Sequence, residues 1–194
     1  MLGLLSLLLV ATGCSSLQGT GDKGYVTGDG QVREIAVADR GDAVELSGVD
    51  LAGNALTLET FRGRPVVVVV WWSGCGPCIK EAPDVVALAT EYADRAQFVG
   101  INIRDASPAQ AQAFERKFAV PYPSFYAPNG TELLAFERRI GPQTVPAFVV
   151  LDAEGRIASS IIGEMGSPTT LSALIDTALA ESPGSTTGEG SRDG

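Results

Sequence analysis

The segment PVVVVVWWSGCGPC, residues 65–78, constrains this chain more than any other. Five consecutive valines after a proline present no polar face, so they suit a strand covered on both sides, in a parallel sheet with helices above and below. Two cysteines spaced C-x-x-C follow directly, Cys75 and Cys78, at the point where a helix has to begin. Gly76 tolerates a tight approach to that helix, and Pro77 suits its first turn. A cysteine at such a helix start meets unpaired backbone N–H groups and the positive end of the helix dipole, both of which favour its thiolate. An exposed Cys75 is then the expected nucleophile toward a disulfide. Cys78, one turn further on, is placed to resolve the mixed disulfide.

Other chemistries also use a C-x-x-C pair. A zinc or copper centre needs further ligands, yet the 194 residues hold no histidine, one other cysteine (Cys14) and only two methionines, Met1 and Met165. A purely structural disulfide across so short a loop restrains the unfolded chain little. A redox couple is the reading that uses both the spacing and the position, with neither a metal nor an organic cofactor expected. The absence of histidine also removes Ser-His-Asp and Cys-His catalysis. The formal net charge of -9 argues against nucleic acid, whose phosphates require a basic face. The length suits a single domain with tails.

The tails have their own signals. Residues 2–10 form an apolar run too short to cross ~30 Å of hydrocarbon at ~1.5 Å per residue, but of the length found in signal peptides. Ala11, Thr12 and Gly13 before Cys14 resemble a bacterial lipobox, which makes residues 1–13 the expected signal peptide and Cys14 the expected acylated anchor to a membrane. One departure is that the first basic residue is Lys23, whereas signal peptides carry Lys or Arg near their start. An ordinary cleaved signal with a chance cysteine is the alternative. Both place the domain outside the cytoplasm, where a disulfide persists. Residues 14–40 are Gly-rich and polar and are expected to form a flexible tether, and residues 182–194 a disordered tail, leaving a folded unit over 41–181.

Within that unit, apolar alternation around Gly53 and Asn54 predicts a short leading β-hairpin. The valine strand is followed by a helix from Pro77 that Pro83 is expected to kink, then by a strand over 97–103. Ser107, Pro108 and Gln110 read as N-cap, first helical position and capping box of a second helix. A short helix is expected near 132–138, then two strands around a turn at 152–155, then a helix capped by Ser167 with Leu171, Leu174, Ile175, Ala178 and Leu179 on one face. The order β-α-β-α-β-β-α after a hairpin gives an α/β class with a central mixed sheet flanked by helices.

The W-x-x-G-C-G-P-C core, the helix proline Pro83 and TVPAFVVLDAEGRIA from Thr144 resemble the thioredoxin superfamily. They are most similar to its extracytoplasmic TlpA/ResA-like branch, in the lipoprotein-anchored form of actinobacteria. The resemblance covers about residues 41–175. It implies a thioredoxin-like fold and a thiol-disulfide oxidoreductase acting on exported proteins, apocytochrome c being one candidate, recycled by a membrane electron donor or acceptor. It implies a cis Pro146 facing the disulfide, with the main chain of Val145 binding an extended substrate. It gives Glu81 an influence on the active-site thiols. The residues alone allow Glu81 either to accept the Cys78 proton or to be a solvated carboxylate at a helix start. One of Trp71 and Trp72 is expected in the core and the other beside the site; Trp72, Gly74, Gly76 and Pro77 complete the expected substrate surface. Two departures stand out. Val69 occupies the place of thioredoxin's buried aspartate, and Gly74 the place of the usual tryptophan. The Gly-Pro dipeptide between the cysteines, lacking histidine, points toward a reductant. A peroxiredoxin-like thiol peroxidase and a non-catalytic thioredoxin-fold binding module are the competing functions.

Overall fold

In the computed structural model, which describes residues 32–136 and 140–182, the valine run becomes the central strand β4 (Val66–Trp71), buried at every position. It lies between β5 (Gln97–Asn102), parallel to it, and β7 (Ala147–Leu151), antiparallel to it. Side chains alternate across a strand, so one run supplies two cores. Val67, Val69 and Trp71 pack with Val85, Leu88 and Ile175, while Val66, Val68 and Val70 pack with Phe125, Leu133 and Phe136. Full burial of each valine is worth roughly 1.5–3 kcal/mol, which is why so uniform a segment takes the middle of the sheet.

The complete sheet runs β1-β8-β7-β4-β5-β6, with β1 at Val32–Glu34, β6 at Ser124–Tyr126 and β8 at Ile157–Ile162. The helices are α1 (Gly76–Glu91), α2 (Pro108–Phe118) and α3 (Pro168–Ala180). The expected leading hairpin is present as a separate two-stranded sheet, β2 (Ser47–Val49) with β3 (Ala55–Thr57), turning at Gly53 with φ +88°. Ser167 caps α3 as expected, accepting from the Thr169 N–H, and Leu171, Leu174, Ile175 and Ala178 are buried along it.

Several expectations are corrected. The tether does not extend to residue 40, because Val32–Glu34 pairs antiparallel with β8 and Arg40 is held inside by Asp152 and Glu181. Apolar Val32 and Ile35, both buried, outweigh the polar composition around them. The helix expected near 132–138 is a 3-10 turn over Thr131–Phe136, and 137–139 lie outside the described residues. Strand β6 is an addition to the expected elements, a short strand lying directly after Pro121 and Pro123. In α2 the Ser107 side chain makes no capping bond; Gln110 instead reaches back to the Ala106 N–H at 2.9 Å. Pro83, the expected kink, lies inside α1, which is unbroken from Gly76 to Glu91. The signal peptide, Cys14, residues 14–31 of the tether and residues 183–194 of the tail also lie outside the described residues.

Candidate active site

Strands β4 and β5 end, and β7 begins, at the same edge of the sheet, the edge where α/β proteins place their chemistry. Three loops meet there: 72–75 before α1, 103–107 after β5, and 141–146 before β7. Cys75 is the N-cap of α1 and is joined to Cys78 by a disulfide with an S–S distance of 2.03 Å. The Cys75 sulfur accepts the Cys78 N–H at 3.1 Å, so one of the helix's unpaired donors is spent on the atom that would carry the thiolate charge. The expected exposed nucleophile is corrected to a nearly covered one: Cys75 is 5% exposed and Cys78 6%, because both residues join the core beneath α1. Pro77 stands in the first turn as expected. Gly76 is not sterically demanded, since a Cβ there would meet nothing within 4 Å.

Glu81 lies one turn beyond Cys78 and is not solvated. It is 7% exposed, with one oxygen accepting the Met165 N–H at 2.6 Å and the other without a partner. Burial raises its pKa above the ordinary value of 4.5, and the charge of Glu164 adds to the rise, against the lowering by the Met165 N–H. An unsatisfied buried carboxylate oxygen is expensive, and it is least so when that oxygen is protonated. Glu81 and Cys78 line one cavity with Val69, Pro146, Tyr122 and Phe148. Apart from the carboxylate and the tyrosine, its walls are apolar, and Val69 adds no second acceptor. Val145–Pro146 is a cis peptide bond, as the resemblance implied, and Pro146 lies on this cavity beside Cys78.

The two tryptophans divide as expected. Trp71 is in the core, its indole N–H donating to Ser124 Oγ at 3.3 Å and its ring stacked 4.6 Å from Phe114. Gly100 makes this possible, because a Cβ there would lie 2.1 Å from Ser124 Oγ. Trp72 is half-buried and folds across Gly74, whose missing Cβ would lie 2.4 Å from the indole. An aromatic ring therefore covers position 74 although residue 74 has no side chain.

A further group was not identified from the sequence. Asp105 is 3% exposed; it accepts the Ser73 N–H at 3.0 Å, the Ser73 hydroxyl at 2.5 Å and the Asn102 amide at 2.7 Å. The available signal was the pair of polar side chains Asn102 and Asp105 closing a buried strand at the chemical edge of the sheet. Among the described residues no three His, Cys, Asp or Glu side chains converge as metal ligands, and no helix is long and apolar enough to cross a membrane.

A family model described as Redoxin matches residues 36–175. The thioredoxin-like protein YneN of Bacillus subtilis is 26% identical over 135 residues, which are 69% of this chain and 76% of YneN. The thiol-disulfide oxidoreductase ResA of Bacillus cereus is 25% identical over 115 residues, 59% of this chain; the match spans 64% of ResA, just under two thirds of that relative's length. Among solved structures, a secreted thiol-disulfide isomerase from Corynebacterium glutamicum superposes with a TM-score of 0.73 at 25% identity, covering 82% of this chain and 98% of that one.

Proposed function

The chain belongs to the Redoxin family and is a thioredoxin-like thiol-disulfide oxidoreductase, and from that premise we propose that it works outside the cytoplasm, tethered to a membrane through Cys14, as a reductant of disulfides in exported proteins. The observation that carries the reading is the Cys75–Cys78 disulfide at the N-terminus of α1, beside a buried carboxylate with a free oxygen.

In the reduced protein, the Cys75 thiolate attacks one sulfur of a substrate disulfide, and the other leaves as a thiolate that takes up a proton. The Cys78 thiol then loses its proton, attacks Cys75 Sγ and releases the second substrate sulfur. Two electrons have passed to the substrate, and the Cys75–Cys78 disulfide is restored. In its ionised form Glu81 is the candidate acceptor for the Cys78 proton: it shares the cavity, has an oxygen without a hydrogen bond, and has a pKa that burial raises. The main chain around Val145, the rim formed by Trp72 over Gly74, and the first turn with Gly76 and Pro77 seat the substrate. Its partners are thiols and disulfides of exported proteins, apocytochrome c among them, and a membrane electron donor recycles the pair.

The direction rests on the lack of a cation or histidine between the cysteines, with the Cys78 N–H the one donor on the Cys75 sulfur among the described residues. A peroxidase would need a hydroxyl and an arginine around the attacking cysteine, whereas the Ser73 hydroxyl is committed to Asp105 and Arg104 to Gln143. The test is to trap partners in cells with Cys78→Ser, which leaves Cys75 in mixed disulfides that mass spectrometry identifies. Recovery of no disulfide-linked exported protein rejects the proposal. A reduction potential near the ~-120 mV of a strong oxidant rejects the reductant direction alone. Membrane retention that survives Cys14→Ser rejects the anchor.

A further inference from the structure

Arg104 and Asp105 are adjacent, yet they hold different loops. Asp105 grips Ser73, two residues before Cys75, through both the N–H and the hydroxyl. Arg104 reaches the opposite way: its Nε donates to Gln143 Oε1 at 3.1 Å and a terminal nitrogen donates to the Gln143 carbonyl at 2.7 Å, three residues before Pro146. The connection is itself anchored, by the Ile103 N–H on the Trp71 carbonyl, by the Arg104 N–H on the Pro128 carbonyl, and by the Tyr126 hydroxyl on the Asp105 carbonyl. Arg104 also stands at φ +66°, a left-handed conformation that favours glycine and strains a residue with a side chain. Its side chain is exposed, where hydrogen bonds add little to stability. Neither backbone preference nor stability accounts for an arginine there; a bidentate hold on the proline loop does.

We propose that Arg104 and Asp105 are positioning residues that clip the cysteine loop to the cis-proline loop and so set the spacing of the two walls between which a substrate chain is seated. The proposal rests on the oxidoreductase reading above. Arg104→Gly separates the clip from stability, because glycine suits the backbone while the guanidinium is lost. Its melting temperature is expected to equal or exceed that of the unaltered protein. KM for a disulfide-bonded peptide rises about fivefold as the walls lose register, with the alkylation rate of Cys75 by a small reagent unchanged. Arg104→Lys, which keeps a single donor, recovers part of the loss. On the other arm, Ser73→Ala releases one of the two bonds to Asp105 and changes the Cys75 alkylation rate about threefold. An Arg104→Gly protein with the original KM overturns the clip and leaves the oxidoreductase reading standing. A Ser73→Ala protein with the original alkylation rate overturns the Asp105 arm. Unaltered protein that exchanges no disulfide with any peptide overturns both the reading and the clip.

Discussion

Glu81 on α1 and Asp105 after β5 are both buried carboxylates at the disulfide end of the sheet, and they are furnished in opposite ways. Asp105 accepts three hydrogen bonds from Ser73 and Asn102. Glu81 accepts from the Met165 N–H, with a weaker contribution from the Gly166 N–H, and keeps one oxygen without a hydrogen bond in an apolar cavity. A carboxylate with full donors holds what surrounds it. A carboxylate short of donors is raised in pKa and ready to exchange a proton. The same functional group thus serves position after β5 and chemistry on α1, and the difference lies in the number of N–H and O–H groups aimed at it.

The largest effect that tests this contrast is expected at Asp105. Asp105→Ala leaves three donors without an acceptor and should lower unfolding free energy by about 3 kcal/mol, measured by urea denaturation. Asp105→Asn should recover most of that, since its oxygen still accepts from the Ser73 and Asn102 N–H groups while its amide donates to a reoriented Ser73 hydroxyl. If asparagine is as damaging as alanine, the charge rather than the acceptor count matters, and the contrast is misdrawn.

Glu81→Gln should act with the opposite sign on stability. The unfolded carboxyl titrates near 4.5 and the folded one higher, so between the two values the native state binds more protons, and stability falls as pH rises through that window. Glutamine removes this loss and keeps the acceptor for Met165, giving about 1 kcal/mol of added stability at neutral pH. Exchange activity should drop about tenfold, and the acid limb of its pH profile, set above the ordinary carboxylate range, should vanish. A variant with unchanged pH profile would leave Glu81 a structural residue.

The smallest effect is expected at Gly74. A Cβ in Gly74→Ala displaces the Trp72 indole, a movable and half-exposed ring, so the stability change should stay below about 1 kcal/mol while the fluorescence of Trp72 shifts. An unshifted spectrum would show that the ring does not rest on residue 74.

The parts of the molecule legible in the sequence are those whose signals are local. Cys75, Cys78 and Pro77 announce a helix start within a few residues, and the β-branched run, the Gly53 turn and the Ser167 cap are similarly compact. Asp105 and Arg104 were not recognised because their meaning lies in partners 32 and 39 residues away. Glu81 was visible as a candidate, but only packing against the Met165 loop decides between a solvated and a buried carboxylate. Strands β1 and β6 were missed because each is three residues long and sits in a stretch whose glycines or prolines suggest otherwise.

A strand of identical residues carries no address. Sliding β4 by one step against its neighbours would replace each inward valine with another valine, exchange the two faces, and carry Cys75 about 3.3 Å along the strand. The coordinates of the redox centre are therefore encoded at the ends of the run: at Pro65, whose carbonyl accepts the Gln97 N–H at 2.9 Å, and at Trp71, whose indole finds Ser124 and Phe114 in a single alignment.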